Sequence, residues 1–494
     1  MKTSRLLSWL LIFILFISAC TPTQQPHTPS STADQIRHLT IFYTNDEHGW
    51  MEGMQAGQGA ANLAGLWEGI EKEKPDSSYL ILSGGDNWTG PAISTWFDGE
   101  SMVQVMNDMG YAASVIGNHE FDFGLDNLKA RLAQARFPYL SANIHYKKDG
   151  STPVDLGIQP YALLNVSGLK IGLVGLTTTS TPYTTNPLNV SQFDFDDYEQ
   201  ALRQIVPEVR ASGADIILVP SHICLGELDR LADQVQDLNI SMFGAGHCNE
   251  LSASQVHNSL ILAGGYHFTS YAYASFDVDP QTHSILSTGY GTSPNDGGLP
   301  DPQIAKDVAQ WHSKTEAELS TPIGYLKHKI VQQSQDMQTL TTETWLLGYP
   351  TADIALTNLG GMRAPIPAGE ITMADIIGMM PFDDMLVDVR LTGEQLLKVL
   401  SRAGTPPAIG GMHWQAGAWV LNKTGQPLEA TTTYSVLVND FMYAGGDNYN
   451  LLAEYDPQAY NTAIDWRQPV IDWILAQNSS PEQPLDEAIA ALGK

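Results

Sequence analysis

The chain is poor in cysteine, in basic residues and in long apolar runs. Of its 3 cysteines, one is Cys20, which leaves a single pair, Cys224 and Cys248. It has 25 Lys plus Arg against 54 Asp plus Glu. This excludes polymeric nucleic acid as a partner, because such binding depends on neutralising phosphates with basic side chains. Beyond residue 17 no segment is long and apolar enough to span a bilayer. There is also no internal repeat of the 20–50 residues that define solenoids.

The amino terminus has the pattern of a bacterial lipoprotein signal. Lys2 and Arg5 precede an apolar stretch, Leu6–Ile17, and the small residues Ser18 and Ala19 lead into Cys20. The alternative is an uncleaved anchor, but a transmembrane helix needs about 20 apolar residues and this stretch is shorter. We therefore expect a signal peptide over 1–19, lipidation of Cys20 and a flexible tether over 20–36, which is rich in Pro, Ser, Thr and Gln.

The length of the chain predicts two domains. Over 37–300, strand-like runs alternate with helical stretches, which predicts an α/β domain. The runs include Leu39–Tyr43, Tyr79–Leu82, Ala113–Ile116, Leu169–Leu176, Ile216–Val219 and Leu260–Ala263, and the helices include Asp126–Ala135 and Tyr198–Ala211. Glycine and proline crowd Gly289–Pro302, which predicts a break before a connecting helix over 301–321. A smaller domain is predicted over 322–494.

Short polar or glycine-rich segments follow these runs, where strands should end. They carry seven side chains able to ligate a metal: Asp46, His48, Asp86, Asn118, His222, His247 and Asn249. Open sheets present ligands at the carboxyl ends of their strands, so residues far apart in sequence converge there. Carboxylate, imidazole and amide ligands together indicate a site for two metal ions.

Three motifs of the second half identify a resemblance. They read ADIALTNLGGMR over Ala352–Arg363, PFDD over Pro381–Asp384 and NDFMYAGGD over Asn439–Asp447. Together with the segments of the first half, they resemble the 5'-nucleotidase family in order and spelling. The resemblance covers nearly all of the chain after about residue 37. It implies an α/β fold with a calcineurin-like metallophosphoesterase sandwich domain and a smaller α/β (α+β) substrate-binding domain.

The resemblance also assigns the metal ligands. Asp46, His48, Asp86 and Asn249 would hold the first ion, and Asp86, Asn118, His222 and His247 the second, with Asp86 as the bridge. The donor set suits Mn, Zn, Co or Fe. Asn249 replaces the His or Gln that is commoner in the family. Its shorter side chain predicts that the first ion is bound more weakly, or through an added water.

Further residues take their roles from the same resemblance. His119 would face the phosphate without ligating metal, and Asp122 would orient it and raise its pKa. Phe382 and Phe441 match the aromatic pair that sandwiches a nucleobase, whereas taken alone they would be core residues. Asn358 and Arg363 match positions near the phosphate, and Asp447 matches an acceptor for ribose hydroxyls. The family often has an additional arginine near Leu340–Leu346, and its absence here favours monophosphates or cyclic monophosphates.

Cys224 and Cys248 each lie one or two residues from a predicted ligand histidine. If both histidines hold one metal, a disulfide is geometrically possible. The alternative, which we favour from sequence, is two small buried thiols, because unpaired buried cysteine is common.

The predicted function is a metal-dependent hydrolase of nucleotide phosphoesters for extracytoplasmic salvage: a 5'-nucleotidase, a 2',3'-cyclic nucleotide phosphodiesterase or a UDP-sugar hydrolase. The expected cofactors are two divalent metal ions and the expected partners are a small nucleotide and, through Cys20, a membrane at the cell surface or in the periplasm; no protein partner is predicted. One alternative is a hydrolase of the same superfamily acting on a non-nucleotide, such as a thiosulfohydrolase. The other is a catalytically silent binding lipoprotein.

Overall fold

The computed structural model describes residues 36–74, 77–402 and 405–492. The predicted signal peptide, Cys20 and almost all of the tether lie outside these residues. Within the described ranges, no helix combines the length and the apolar character needed to cross a membrane.

The first half of the chain alternates strands with helices, as the sequence predicts. Its strands are β1 (Arg37–Thr44), β2 (Ser77–Ser83), β3 (Tyr111–Val115), β4 (Tyr139–Leu140), β5 (Ile144–Tyr146), β6 (Ile158–Gln159), β7 (Tyr161–Val166), β8 (Leu169–Val174), β9 (Leu176–Thr177), β10 (Phe193–Phe195), β11 (Ile216–His222), β12 (Met242–Gly244), β13 (Leu251–Val256), β14 (Ser259–Gly264), β15 (Ser270–Val278) and β16 (Ile285–Pro294). Its helices are α1 (Ala60–Glu73), α2 (Ala92–Thr95), α3 (Glu100–Met109), α4 (Gly124–Gln134), α5 (Thr181–Thr184), α6 (Pro187–Val190), α7 (Tyr198–Ala211) and α8 (Leu225–Gln234).

Fourteen of these strands form two seven-stranded sheets, while β5 and β10 pair with each other separately. One has the order β16-β15-β1-β2-β3-β4-β6, and the other has the order β13-β14-β12-β11-β8-β7 with β9 paired to β11. The strands β1 to β4 run parallel to one another. In the second sheet β8, β11, β12 and β14 are also parallel. Each sheet therefore presents the carboxyl ends of several strands at one edge.

The two sheets pack face to face, and helices cover their outer faces. Inward side chains such as Ile41 and Leu218 belong to one buried cluster between the sheets. Helices α1, α3 and α4 contribute to the cluster outside the first sheet. Helices α7 and α8 do so outside the second. Strands buried on both faces read as continuous apolar runs, and for this reason the sequence predicts them well. The predicted α/β sandwich is confirmed.

The glycine-rich segment Gly289–Pro302 differs in part from its prediction. Its first residues continue strand β16, which pairs antiparallel with β15 up to Pro294. Gly291 is required there because a Cβ atom at this position would meet the ring of Tyr273, at 2.6 Å from its hydroxyl oxygen. These glycines thus serve close packing on an edge strand.

Helix α9 (Pro302–Leu319) leads into the second half, and Asp301 caps it by accepting from the N–H groups of Gln303 and Ile304. The strands that follow are β17 (Pro322–Leu326), β18 (Ile354–Thr357), β19 (Gly369–Thr372), β20 (Met385–Thr392), β21 (Ala408–Gly410), β22 (Met412–Gln415), β23 (Ala418–Leu421), β24 (Thr433–Asn439) and β25 (Tyr460–Asp465). The helices are α10 (Gln335–Gly348), α11 (Met373–Met379), α12 (Gly393–Arg402), α13 (Asp440–Tyr443), α14 (Leu451–Tyr455), α15 (Gln468–Ala476) and α16 (Asp486–Ala491).

A five-stranded sheet of order β21-β18-β24-β20-β25 organises this second half. Helices α10 and α15 pack on one face, where the indole N–H of Trp345 donates to the carbonyl of Trp466 at 2.8 Å. Helices α12 and α14 pack near the other face. Helix α11 contacts α2 and α9, so the two halves meet beside the strand ends of the first. The exact domain boundaries stay a prediction.

Candidate active site

All seven predicted metal ligands lie in loops at the carboxyl ends of strands or at the last residue of a strand. Asp46 and His48 follow β1, Asp86 follows β2, Asn118 follows β3, His222 ends β11, and His247 and Asn249 follow β12. Five of them, Asp46, His48, Asp86, His247 and Asn249, have positive φ angles between 46° and 73°. Such angles are uncommon in residues other than glycine and concentrate at functional sites.

Two groups of ligand atoms converge in the described part of the chain. Asp46, His48 and Asp86 form one group, and Asp86, His222 and His247 form the other. Within each group the ligand atoms lie within 4.8 Å of one another. Asp86 belongs to both groups, as a bridging carboxylate requires. Gly117 allows this approach, because a Cβ atom there would collide with the Asp86 carboxylate.

The outer polar atoms of three ligands are held by main-chain carbonyl groups. His48 donates from Nδ1 to the carbonyl of Thr89 at 3.0 Å, and His222 donates from Nδ1 to that of Gly84 at 2.7 Å. Asn118 donates its amide N–H to the carbonyl of Thr184 at 2.9 Å. Each residue therefore leaves its other polar atom, Nε2 or Oδ1, on the side of the cluster. Metal-ligating histidines characteristically have such outer partners, so these residues fit a bound ion.

Asp86 and its neighbours also define the electrostatics of the cluster. Its carboxylate lies 3.0 Å from Nε2 of His222. Burial raises the pKa of Asp46 to about 6, and the charge of His222 opposes that rise. Burial lowers the pKa of His247 to about 4, and the charge of His222 lowers it further. Buried carboxylates beside a neutral imidazole are a suitable environment for divalent cations.

His119 and Asp122 form a separate pair beside the cluster. Nδ1 of His119 lies 2.7 Å from Oδ2 of Asp122. Burial lowers the pKa of His119, but the charges of Asp122 and Asp86 outweigh it, and the pKa lies above its usual value. The direction agrees with the prediction, and the Asp122 contact leaves Nε2 of His119 free to donate a proton.

Two buried glutamates support the loops, and sequence reasoning did not single them out. Glu120 accepts from the main-chain N–H groups of Asp86, Asn87 and Gly117, at 2.7–2.9 Å. Glu47 accepts from Ser83 and Asn87. Burial raises the pKa of Glu120 to about 8 and that of Glu47 to about 7. Both lie in the polar segments that follow β1 and β3, so an acidic residue one or two positions from a predicted ligand was the available signal.

A cavity of about 250 Å³ joins this site to the second half of the chain. The first half contributes His48, Asp86, Asn118, His119, Asp122, His247 and Asn249, and the second contributes Asn358, Arg363, Phe382, Phe441 and Asp447. All five predicted substrate residues thus lie on one cavity with most of the predicted metal ligands. Asn249 lies on its wall, but whether it ligates stays a prediction.

Three contacts define the wall formed by the second half. Nη2 of Arg363 lies 3.1 Å from Nε2 of His48. The ring of Phe382 stacks on that of His119, with centroids 5.8 Å apart. Asn358 donates to the carboxylate of Asp447 at 2.9 Å, which turns Asp447 into the cavity wall.

Acidic groups that were not predicted also line the cavity. Asp383 and Asp384 belong to the wall, and Asp384 accepts from Asn439 at 2.8 Å. By contrast, the segment Leu340–Leu346 lies in helix α10, with Thr341, Thr342 and Thr344 fully buried. No residue of this segment lines the cavity.

Cys224 and Cys248 form a disulfide, and the preference for free thiols is wrong. Strands β11 and β12 are parallel neighbours, so the residues that follow them come together with a Cα separation of 5.2 Å. The N–H of Gly246 also donates to the carbonyl of Ile223 at 3.0 Å. The preference for free thiols rested on how common unpaired buried cysteines are, and that frequency takes no account of which strands pair.

Comparison with known proteins agrees with this geometry. Residues 312–454 match the family described as 5'-nucleotidase, C-terminal domain. A 5'-nucleotidase of Vibrio cholerae is 26% identical over 515 residues, covering 90% of this chain and 92% of that protein. The solved structure of a 5'-nucleotidase precursor from Thermus thermophilus has a TM-score of 0.77 at 23% identity, covering 90% and 97% of the two chains. A sulfate thiohydrolase from Thermus thermophilus has a TM-score of 0.70 at 16% identity, covering 89% and 94%.

The helix-covered pair of sheets carries, at its strand ends, Asp/His groups that could hold metal ions, which is the arrangement expected of a metal-dependent phosphoesterase. The two solved structures establish the shared fold alone. The match of residues 312–454 goes further, because it identifies a 5'-nucleotidase C-terminal domain in the second half. Over 90% of its length the chain is similar to a 5'-nucleotidase.

Proposed function

We propose that this protein hydrolyses nucleotide phosphoesters in the cavity between its two halves. One observation carries the proposal: members of both ligand groups, the His119–Asp122 pair and the residues Phe382 and Phe441 all line this cavity. A substrate with a phosphate at one end and an aromatic base at the other would use both walls.

The chain's own residues account for binding and proton transfer at the phosphate. Asp46, His48, Asp86 and Asn249 would hold one divalent ion, and Asp86, Asn118, His222 and His247 the other. When bound, such a pair of ions stabilises the charge of the phosphoryl oxygens and activates the attacking water. The guanidinium of Arg363, beside His48, is placed to bind a phosphoryl oxygen. His119 would donate a proton from Nε2 to the leaving oxygen while Asp122 holds Nδ1.

The second half would recognise the nucleoside. Phe382 and Phe441 offer aromatic faces to a base, and stacking of a base on an aromatic side chain contributes about 1–3 kcal/mol. Asp447 is an acceptor for ribose hydroxyl groups, and Asn358 holds it through the 2.9 Å hydrogen bond.

The charge of the cavity favours substrates with a single phosphate. Among the described residues that line it, Arg363 is the one arginine and there is no lysine, whereas five are aspartates. Nucleoside diphosphates and UDP-sugars carry a second phosphate, which would need a further cation. We therefore place 5'-monophosphates first and 2',3'-cyclic monophosphates second.

Of the alternatives, a thiosulfohydrolase is not separated by fold, because the sulfate thiohydrolase shares it. Such a substrate has no ring, so it would leave Phe382 and Phe441 without a role. A catalytically silent lipoprotein would have no use for a complete ligand set and the His119–Asp122 pair.

A hydrolysis screen tests the function directly. Purified protein loaded with Mn²⁺ is assayed for phosphate release and, by chromatography, for nucleotide products from 5'-, 3'- and 2',3'-cyclic nucleotides and UDP-sugars; sulfate release is measured for thiosulfate-bearing substrates. We expect 5'-monophosphates to give the highest kcat/KM. Hydrolysis of none of the nucleotides would refute the proposal. Repeating the screen with Zn²⁺, Co²⁺ and Fe²⁺ identifies the metal that supports turnover.

Substitution of the two phenylalanines tests base recognition. Phe382→Leu/Phe441→Leu keeps apolar volume beside Trp466, whose ring centroid lies 6.4 Å from that of Phe382, but removes the stacking faces. We expect kcat/KM for a nucleotide to weaken by about 1–3 kcal/mol. Turnover of β-glycerophosphate, a phosphate ester without a ring that serves as the control, should change little. An equal loss on both substrates would assign these residues to the core.

The location of the enzyme belongs to the same proposal. A signal peptide over 1–19 and lipidation at Cys20 would place the catalytic halves outside the cytoplasm on a tether. This supports a role in nucleotide salvage at the cell surface or in the periplasm.

A further inference from the structure

The side chain of Asp122 makes more contacts than orientation of His119 alone requires. It is 5% exposed, and its Oδ2 atom lies 2.7 Å from Nδ1 of His119. The same oxygen accepts from the hydroxyl of Thr89 at 2.7 Å, and Oδ1 accepts from the hydroxyl of Thr185 at 2.8 Å. Both carboxylate oxygens are therefore engaged by hydroxyl donors from two separate loops.

Each of these loops also holds one predicted metal ligand through its main chain. The carbonyl of Thr89 accepts from Nδ1 of His48 at 3.0 Å. The carbonyl of Thr184, next to Thr185, accepts from the amide of Asn118 at 2.9 Å. In each loop, therefore, a threonine hydroxyl binds Asp122, while a main-chain carbonyl holds a predicted metal ligand.

A carboxylate bound only to the histidine could rotate about its side-chain bonds and carry the ring with it. Hydrogen bonds to both oxygens, from two different loops, fix the plane of the carboxylate and with it the direction of the imidazole. Thr89 and Thr185 are themselves fully or almost fully buried, so bulk water has little access to their hydroxyl groups.

We propose that Thr89 and Thr185 are positioning residues that act through Asp122 to aim Nε2 of His119 at the phosphoryl group. The inference rests on the proposed function, because it assigns His119 a role in phosphoester hydrolysis. Helix α5, which ends at Thr184, also contacts the turn Gly446–Asn448 that carries Asp447. Thr185 therefore lies where the substrate-binding half meets the His119–Asp122 pair.

The inference can be tested because the hydroxyl groups that bind Asp122 belong to side chains, whereas the carbonyl groups that hold His48 and Asn118 belong to the main chain. Thr89→Val and Thr185→Val remove the donors to Asp122 but keep the main-chain carbonyl groups that orient His48 and Asn118. We expect each variant to bind the same number of metal ions as the wild type, by elemental analysis. We expect kcat for a nucleotide to fall about 10-fold in each, a factor equivalent to about 1.4 kcal/mol. Thr→Ser at either position should restore most of the rate.

Combination with His119→Ala distinguishes positioning from general structural damage. If the threonines act through His119, then His119→Ala/Thr185→Val should be no slower than His119→Ala alone, within about twofold, because the two changes remove the same interaction. Thr181→Val is a matched control. Thr181 is a buried threonine of helix α5 whose hydroxyl bonds the carbonyl of Thr178 at 2.7 Å. It should keep the wild-type rate.

Each outcome decides the inference. Multiplicative losses in the His119→Ala background, loss of metal from the valine variants or failure of serine to restore the rate would each overturn it. If the wild type hydrolyses p-nitrophenyl phosphate but no nucleotide, the proposed function fails, and the same comparison on that ester still decides whether the threonines act through His119. If it hydrolyses neither, both are wrong.

Discussion

Replacing Cys224 and Cys248 with serine should lower the free energy of unfolding of the first half without impairing the site. The disulfide closes a loop with a sequence separation of 24 residues that contains helix α8 and strand β12. For a loop of this length, the chain-entropy treatment gives about 3.5 kcal/mol of stabilisation, through restriction of the unfolded chain.

The folded geometry of these loops has other supports, which the double variant retains. The N–H of Gly246 still donates to Ile223, and the N–H of Leu225 still donates to the carboxylate of Glu250 at 2.8 Å. Strands β11 and β12 remain paired. We therefore expect metal content and kcat at 25 °C within about twofold of the wild type, although the unfolding equilibrium has shifted.

Hydrogen–deuterium exchange measures this effect region by region. For amides of β11 and β12 that exchange only by unfolding, 3.5 kcal/mol corresponds to a rate increase of roughly 400-fold. Wild-type protein in a dithiol reductant should show the same increase. Amides of β24 provide the comparison within the same molecule, and an equal increase there would mean that both halves unfold as one unit. Unchanged exchange in β11 would refute the entropic reasoning. A loss of turnover by the folded variant would instead show that the cross-link positions His222 and His247.

Three further predictions concern charge and location. Asp86→Asn should lower metal affinity by at least about 100-fold, since the bridging carboxylate is lost, and two ions per chain by elemental analysis would contradict this. Burial, followed by the charges of Asp440 and Asp122, raises the pKa of Asp384. The folded chain thus keeps a proton that the unfolded chain releases above about pH 4, and stability should fall as pH rises from there. Asp384→Asn should flatten the fall in Tm between pH 5 and 8; parallel curves would argue against it. Cys20→Ser should release the protein from membranes in cell fractionation, with unchanged specific activity, whereas wild-type protein found in the cytoplasm would rule out the lipid anchor.

The sequence predicted the ligand loops because the signal for each is local. An apolar run followed by a polar, glycine-rich segment marks the end of a buried strand, and parallel strands place those ends together. Asp46, Asp86 and His222 could be recognised in this way without knowledge of which strands are neighbours.

Features that depend on contacts between loops could not be read in the same way. Glu120 matters because it accepts from the main chain of two different loops, and Thr185 because its hydroxyl reaches a residue 63 positions earlier. The cysteine pair was misjudged for the same reason, since its proximity follows from the pairing of β11 with β12. Composition was also misleading at Gly289–Pro302. A glycine that makes room for Tyr273 in a strand cannot be distinguished by composition from a glycine in a turn that ends the strand.

The left-handed backbone of five predicted ligands affects how mutants of this enzyme should be read. Alanine at Asp46, His48, Asp86, His247 or Asn249 removes a donor atom and also places a Cβ-bearing residue without polar side-chain support at a positive φ angle, which costs roughly 1–2 kcal/mol. An alanine scan there would confuse lost chemistry with a strained main chain. Asparagine tolerates this conformation better than glutamine does. As a ligand, Asn249 would thus combine a shorter reach towards a bound metal with an easier backbone, and a longer side chain introduced there to tighten binding would have to overcome that strain.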